Sequence, residues 1–437
     1  MRSVLRRCAL VGSIAIVAIL GLPAGAASAE GSDGHTIVVR PGQSIQTAID
    51  TAPAGTTIVV KAGVYKQSVQ ITTDRLTLRG SDSEHGKTVI EPLTGAPSNA
   101  CSQAFGPTGV CVLGQLDAQG QVTRSVTGVT VKDLTVQDFA GNGVFGFGTD
   151  RLTVSHVVAL RNAAYGIARF NSTRSRIADN VARDSAEAAI YVGDSPNADT
   201  TVVDNLTTGS GIGVFLRDST GVTVEENRAT GNCIGILALN TGTGAIAAGN
   251  YRLRDNSVTE NNKACPAGEG PPTSGMGIVL AGTHDVRVEE NRALRNRPTG
   301  PSLLGSGGIV VVSTKGMGGA DPVNNTVVEN TVLNNKSFDI LYDGTGTGNR
   351  FVENRCQTSM PPGLCHKDLS LSEPGPLRGP AHLSSTPHLE ESLGSAAEPR
   401  SSLAMDGSRR LCAARAVSPP AQESPFGLLL SGRVAAG

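Results

Sequence analysis

The sequence predicts an all-β fold: a single-stranded, right-handed parallel β-helix with a short capping helix at its amino-terminal end. Three observations predict it. A four-residue signature ending in Asn recurs in phase along the chain. A Gly-led run of three to five apolar residues follows each copy. The chain also holds 54 Gly, no Trp, 3% aromatic and 17% charged residues, a profile that excludes coiled coils and long charged helices.

Residues 1–29 read as a secretory signal. Arg2, Arg6 and Arg7 form a basic start, Leu10 to Leu22 an apolar run, and Ala27, Ser28 and Ala29 a small-residue cleavage site. The expected mature chain begins at Glu30 and is secreted to the extracellular space. The apolar run is short for a span, and no later segment is apolar enough to cross a bilayer.

Ser44 can cap a helix over Ile45 to Thr51, with Ile45, Ala48 and Ile49 on one face. Such a helix covers the open end of a stack, which is a sheet edge in need of protection. The short strand patterns Thr57–Val60, Ser68–Ile71, Leu76–Leu78 and Thr88–Ile90 supply the first coils.

The repeat then sets the fold. With Val224–Asn227 as template, the phase recurs at Ile177–Asn180, Val202–Asn205, Leu253–Asn256, Val288–Asn291, Val327–Asn330 and Phe351–Asn354. Earlier copies from Val131 and Val154 carry Leu134 and Val157 in place of Asn. Most intervals are 22 to 25 residues, and the longer ones hold Gly/Pro-rich insertions. Period-two alternation in such short runs is strand, not helix. A unit this small cannot bury a core alone and must stack on copies of itself. The Asn residues at one fixed turn are then expected to bond to one another along the axis, satisfying amides that burial would otherwise orphan. A leucine-rich repeat would need fixed Leu positions and a helix per unit, and neither is present.

Seven Cys follow the signal, and six fall into near pairs: Cys101 with Cys111, Cys233 with Cys265, and Cys356 with Cys365. Export makes these expected disulfides. The spacing and clustered His of a zinc site are missing, so no metal site is predicted. Cys412 is left over.

The β-helix domain is expected over residues 30–365. Residues 366–437 differ in kind: they contain no Asn, Ile or Tyr and continue no repeat. They read as a disordered secreted tail, or as the product of a reading-frame change near residue 366.

The formal net charge of −1 excludes a nucleic-acid partner held by a basic face. A monomer is expected.

The opening coils, Ile45–Asp50, Ile58–Tyr65, Val69–Ile71, Leu76–Gly80 and Lys87–Ile90, resemble those of pectin methylesterases. The later coils are similar to NosD-like copper-site maturation proteins and to parallel β-helix repeat families of the pectin-lyase-like superfamily. The resemblance covers about residues 36 to 365 and implies the pectin-lyase-like fold. Fold analogy makes polysaccharide enzymes the first suspects, but one fold hosts many functions. The family signatures of pectin methylesterases, polygalacturonases and pectate lyases are absent. Asp138–Gly141 shares two letters with the first of these. Asp321, Pro322 and Val323 lack the His of the alginate epimerase Asp-Pro-His motif.

A surface reading remains. Inward positions on the Gly-led strands are Val144, Ile167, Ile190, Val214, Ile236, Ile278 and Ile309, so their neighbours face outward. Coils from 145 to 218 then present Phe145, Phe147, Phe170, Tyr191 and Phe215, with Glu187, Asp194, Arg217 and Asp218 close by. Rings stack on sugar faces while charged groups bind hydroxyls or carboxylates, so these nine are the candidate ligand residues. The competing reading places the outward apolar residues under the insertions, which run over residues 265–275, 298–307 and 315–322 and are expected on one side of the stack, as a wall over the cleft. His156 and His284 read as solvated turn residues.

The expected function is binding or processing of extracellular polysaccharide, as a uronate lyase, epimerase or hydrolase. The alternatives are a non-catalytic module for carbohydrate or cell-surface glycan, and a NosD-like accessory protein; the last lacks a visible Cys/Met/His metal-handling cluster. No catalytic residue is assigned. The cofactor is open, with calcium the candidate if the reaction is a lyase's.

Overall fold

A computed structural model describes residues 35–366, apart from 84–85, 96–98, 243–245 and 268–270. The signal and the tail lie outside these residues. The chain winds into stacked parallel coils whose strands pair with the coil before and the coil after. Among the described residues, one face is formed by eleven strands. They are β1 (Val69–Ile71), β2 (Thr108–Leu113), β3 (Asn142–Phe147), β4 (Tyr165–Phe170), β5 (Ala188–Ser195), β6 (Ile212–Glu225), β7 (Ile234–Leu239), β8 (Met276–Ala281), β9 (Gly307–Val312), β10 (Phe338–Tyr342) and β11 (Ser359–Met360). β6 is long because it runs on around the corner into the next face, where Val222 and Val224 pair with Tyr251 and Leu253.

The inward residues form continuous rows. Val144, Ile167, Ile190, Val214, Ile236, Ile278 and Ile309 are in register and lie within one cluster that runs from Val39 to Cys356. Opposite them stand Ile177, Val202, Val224, Leu253 and Val288 of a second face. The third face contributes a mixed row in which Ala159, Ala182, Ala229 and Ala293 stack with Val136, Val258 and Val332. Each buried Val or Ile contributes about 1.5–3 kcal/mol.

The corner between the second and third faces carries the Asn ladder. Asn180, Asn205, Asn227, Asn256, Asn291 and Asn330 each donate from Nδ2 to the Oδ1 of the next at 2.9–3.0 Å, ending on Asn354. Each Oδ1 also accepts the backbone N–H of the preceding member. A second ladder, which the repeat count overlooks, runs up the next corner. Asn232, Asn261, Asn296 and Asn335 are linked at 3.0 Å, and the carboxylate of Asp339 terminates them.

Helix α1 (Ile45–Thr51) seals the first coil as the sequence predicts. Ser44 Oγ accepts the Thr47 N–H at 3.1 Å, and Ile45, Ala48 and Ile49 are buried. Helix α2 (Ala100–Phe105) is an element the sequence reading lacks. All three expected disulfides are present: Cys101–Cys111, Cys233–Cys265 and Cys356–Cys365. Among the described residues no helix is long and apolar enough to cross a membrane.

The insertions emerge on two edges of the β1–β11 face rather than one. Residues 265–275 and 298–307 precede β8 and β9, and they bond to each other through Thr299 N to Ser274 Oγ at 2.9 Å and Leu303 N to Pro272 O at 3.0 Å. The third follows β9, and Thr314 Oγ1 donates to the Asn240 carbonyl at 2.9 Å. The difference follows from position in the coil: residues before and after a strand leave the sheet at opposite edges.

Candidate functional site

Alternation on the β1–β11 face turns two rows outward. One contains Gln70, Cys111, Phe145, Ala168, Tyr191, Phe215 and Leu237. The other contains Leu113, Phe147, Phe170, Gly193, Arg217 and Leu239. Parallel pairing stacks like positions one rung apart, about 4.8 Å, so aromatic residues in either row must meet. They do so: Phe170 stacks on Tyr191 at 4.4 Å and lies 5.3 Å from Phe145, while Phe215 meets Tyr191 edge-on at 5.2 Å. From α2, Phe105 covers Phe145 at 4.9 Å and Phe147 at 4.7 Å. Phe145, Phe170 and Tyr191 are consequently buried, while Phe105, Phe147 and Phe215 keep partial exposure.

Tyr191 lies over Gly193, where any Cβ would overlap its hydroxyl. Glycine at this position thus makes room for the ring.

The charged candidates gather at the edge of this stack. Gly193 pairs with Arg217 across β5 and β6, which places Asp194 and Asp218 on neighbouring coils. Both have positive φ, 49° and 42°. Arg217 Nε lies 3.3 Å from Asp218 Oδ2. Asp218 is itself fixed by Thr241, accepting its N–H at 2.9 Å and its hydroxyl at 2.6 Å. On the preceding coil the buried Tyr165 hydroxyl donates to the half-buried Glu187.

Burial raises the Asp194 carboxyl above the usual range, opposed by Arg217 and assisted by Asp218. Burial lowers Arg217, but Tyr191, Asp194 and Asp218 together hold its guanidinium above its ordinary value. Burial, with Glu187 next in weight, raises the Tyr165 phenol. Burial also raises Tyr191. The arrangement therefore combines a fixed cation, a fixed carboxylate and a carboxyl that keeps its proton to higher pH than an exposed aspartate.

The structure brings all nine candidates onto one face. It adds Tyr165, Thr241 and Phe105. Tyr165 directly precedes Gly166, and counting alternation forward from the glycine passes over it. Thr241 and Phe105 enter through chain connections that no periodicity announces. Beyond Arg217, Leu237, Val279 and Val310 pack into a separate apolar cluster with Leu304 from the second insertion. Among the described residues, no group of three or more His, Cys, Asp or Glu is placed to hold a metal ion.

Residues 107–252 match the family described as right handed beta helix region. The described residues fold as a right-handed parallel β-helix. This β-helix is similar to the A-module of mannuronan C-5 epimerase AlgE4 from Azotobacter vinelandii, with 16% identity and a TM-score of 0.51 over 72% of this chain and 94% of that one. It is similar to the AlgE6 A-module from the same organism, with 17% identity and a TM-score of 0.52 over 72% and 83%. At such identities the shared property is the fold. No curated protein matches the β-helix.

Proposed function

We propose that this β-helix is exported and processes an acidic polysaccharide on its β1–β11 face, as a monomer. The observation that carries the reading is the convergence of Asp194, Arg217 and Asp218 beside a row of rings, with Glu187 immediately before β5, the strand that carries Asp194. Removing the proton next to a uronate carboxylate requires that carboxylate to be neutralised. Arg217 supplies positive charge, and Asp194, whose pKa burial raises, supplies a hydrogen-bond donor when it holds its proton. Glu187 is the accessible carboxylate for proton transfer, and Phe147 and Phe215 offer the accessible ring surface. Three disulfides support export to an oxidising compartment. The likeness in fold to the two mannuronan C-5 epimerase A-modules favours the uronate class.

A non-catalytic module is the second reading, and the burial of Phe145, Phe170 and Tyr191 favours it, because rings that stack on one another are fold supports. Proton NMR of pectins, alginates and other uronate glycans incubated with the full chain, with and without calcium, separates the two. Unsaturated ends, free methanol or inverted residues support processing, and calcium dependence names the cofactor. Broadened lines without new signals support the module. Unchanged spectra throughout would remove uronate glycans as substrate.

A further inference from the structure

Two coils before the aromatic stack, the same face opens into a groove of about 570 Å³. Gln43, Gln46, Lys66, Gln67, Gln70 and Asn99 line it, at the junction of α1, β1 and α2. Its amides share one property. Every side-chain oxygen is engaged by a backbone N–H: Gln43 by Arg40 at 2.7 Å, Gln46 by Gln70 at 2.7 Å, Gln67 by Ile45 at 2.8 Å, Gln70 by Cys101 at 3.0 Å and Asn99 by Ser102 at 2.8 Å. A backbone N–H can face only the oxygen, so each amide's orientation is determined.

The capacity left over is donor capacity. Gln46 spends its NH2 on Asp50 and the Gln70 carbonyl. Gln67 and Asn99 each place one hydrogen, on the Gln43 carbonyl and Ser68 Oγ. The NH2 groups of Gln43 and Gln70 have no protein partner among the described residues. The Lys66 ammonium joins them, held only loosely by Glu91 at 3.8 Å. Among the described residues no carboxylate lines the groove. Helix α2 and the Cys101–Cys111 disulfide stand between it and the rings.

We propose that this groove is a second saccharide site, taking an acceptor-rich anionic sugar, a uronate unit. Unpaired amide NH2 groups match hydroxyl and ring oxygens, and Lys66 matches the carboxylate. It shares the substrate class of the functional reading above but none of its residues.

The test uses the full chain and calorimetric titration with galacturonate and mannuronate tetramers. Gln70→Glu keeps the oxygen that holds Cys101 N–H and replaces the donors with an anion, so the fold contact survives. With this variant or with Lys66→Glu, tetramer binding at the groove is expected to fall at least about tenfold, equivalent to 1.4 kcal/mol. Asp194→Asn, at the other site, is expected to leave that binding intact even if processing is lost, so failure of one reading is distinguishable from failure of the other. Equal binding of a neutral maltotetraose would overturn the anionic assignment. Sulfate binding as tightly as the tetramers would show a bare anion site, and undiminished tetramer binding by Gln70→Glu would place the ligand elsewhere. Either result overturns the proposal.

Discussion

Asn256 shows what a single side chain does in this stack. Its Nδ2 donates to Asn291 Oδ1 and to the Val224 carbonyl, both at 2.9 Å, while its Oδ1 receives Asn227 N and Nδ2 at 3.0 Å. It is fully buried, so Asn256→Leu strands partners on both sides. An unsatisfied buried donor or acceptor costs about 1–3 kcal/mol, and the expected loss is about 3 kcal/mol, read as a shift in the denaturation midpoint. A loss under about 0.5 kcal/mol, well below that range, would mean the ladder relaxes at no cost. Asp194 makes a different prediction. Its folded pKa is raised, so proton binding favours the native state. The stability it contributes is complete below the unfolded pKa and lost as pH rises through the folded one. Glycan binding that uses the protonated carboxyl weakens over the same window, and Asp194→Asn is expected to flatten that profile. A variant that retains the wild-type pH profile would take Asp194 out of the contact. The first ladder was legible from sequence because its Asn residues share one spacing. The second was not, because Ser185 and Ser210 fill its lower rungs, receiving bonds through hydroxyls or giving backbone N–H groups to the next member.

Among the elements, the corner beside the first ladder carries an acidic ridge. Asp179, Asp204, Glu226, Asp255, Glu290, Glu329 and Glu353 each precede a ladder Asn and adopt positive φ between 54° and 58°. Pairing of consecutive coils places these carboxylates in one row. Glu226 is raised chiefly by Asp204, then by burial, and Asp204 chiefly by burial, then by Asp179. These groups gain stability as pH falls through their folded values. Glu226→Gln is expected to stabilise the chain by a few tenths of a kcal/mol, about the size of an exposed charge interaction, with the gain shrinking in high salt. Thermal unfolding at pH 7 in low and high salt measures it; a destabilised variant would show that the repulsion is not felt. Asp150 and Glu289 run in the opposite sense. Arg174 bonding lowers Asp150, and bonds from Arg287 and Arg252 outweigh the burial that would raise Glu289. Their stabilisation is present above the unfolded pKa and lost on acidification. Helix α2 was missed at this scale because its six residues carry no amphipathic period; its place is held by the Asn99 capping box and by Cys101.

For the whole molecule, the relevant property is one-dimensional cohesion. Each coil touches only its neighbours, so stability is close to a sum of coil and interface contributions, and opening starts at the ends. The disulfides are placed unevenly along that line. Cys356–Cys365 closes the last coils, Cys101–Cys111 pins α2 over the outer face, and Cys233–Cys265 ties the first insertion to the middle of the stack. Chain-entropy reasoning assigns about 3 kcal/mol to each short loop and about 4 kcal/mol to the 32-residue one. The consequences differ because local opening is sampled locally. Replacing Cys356 and Cys365 by Ser is expected to speed amide exchange in residues 350–365 while leaving β5–β8 protected. Replacing Cys101 and Cys111 is expected to free α2, expose Phe145 and Phe147, and raise exchange at the backbone N–H of position 101, the donor to Gln70. Replacing Cys233 and Cys265 acts on central coils, whose opening must break ladders and faces in both directions, and so lowers the global midpoint most. Hydrogen exchange by mass spectrometry on the three double variants separates these patterns. Uniform loss of protection from the Cys356/Cys365 pair would show that the stack unfolds all at once, and the additive picture of coils would fail.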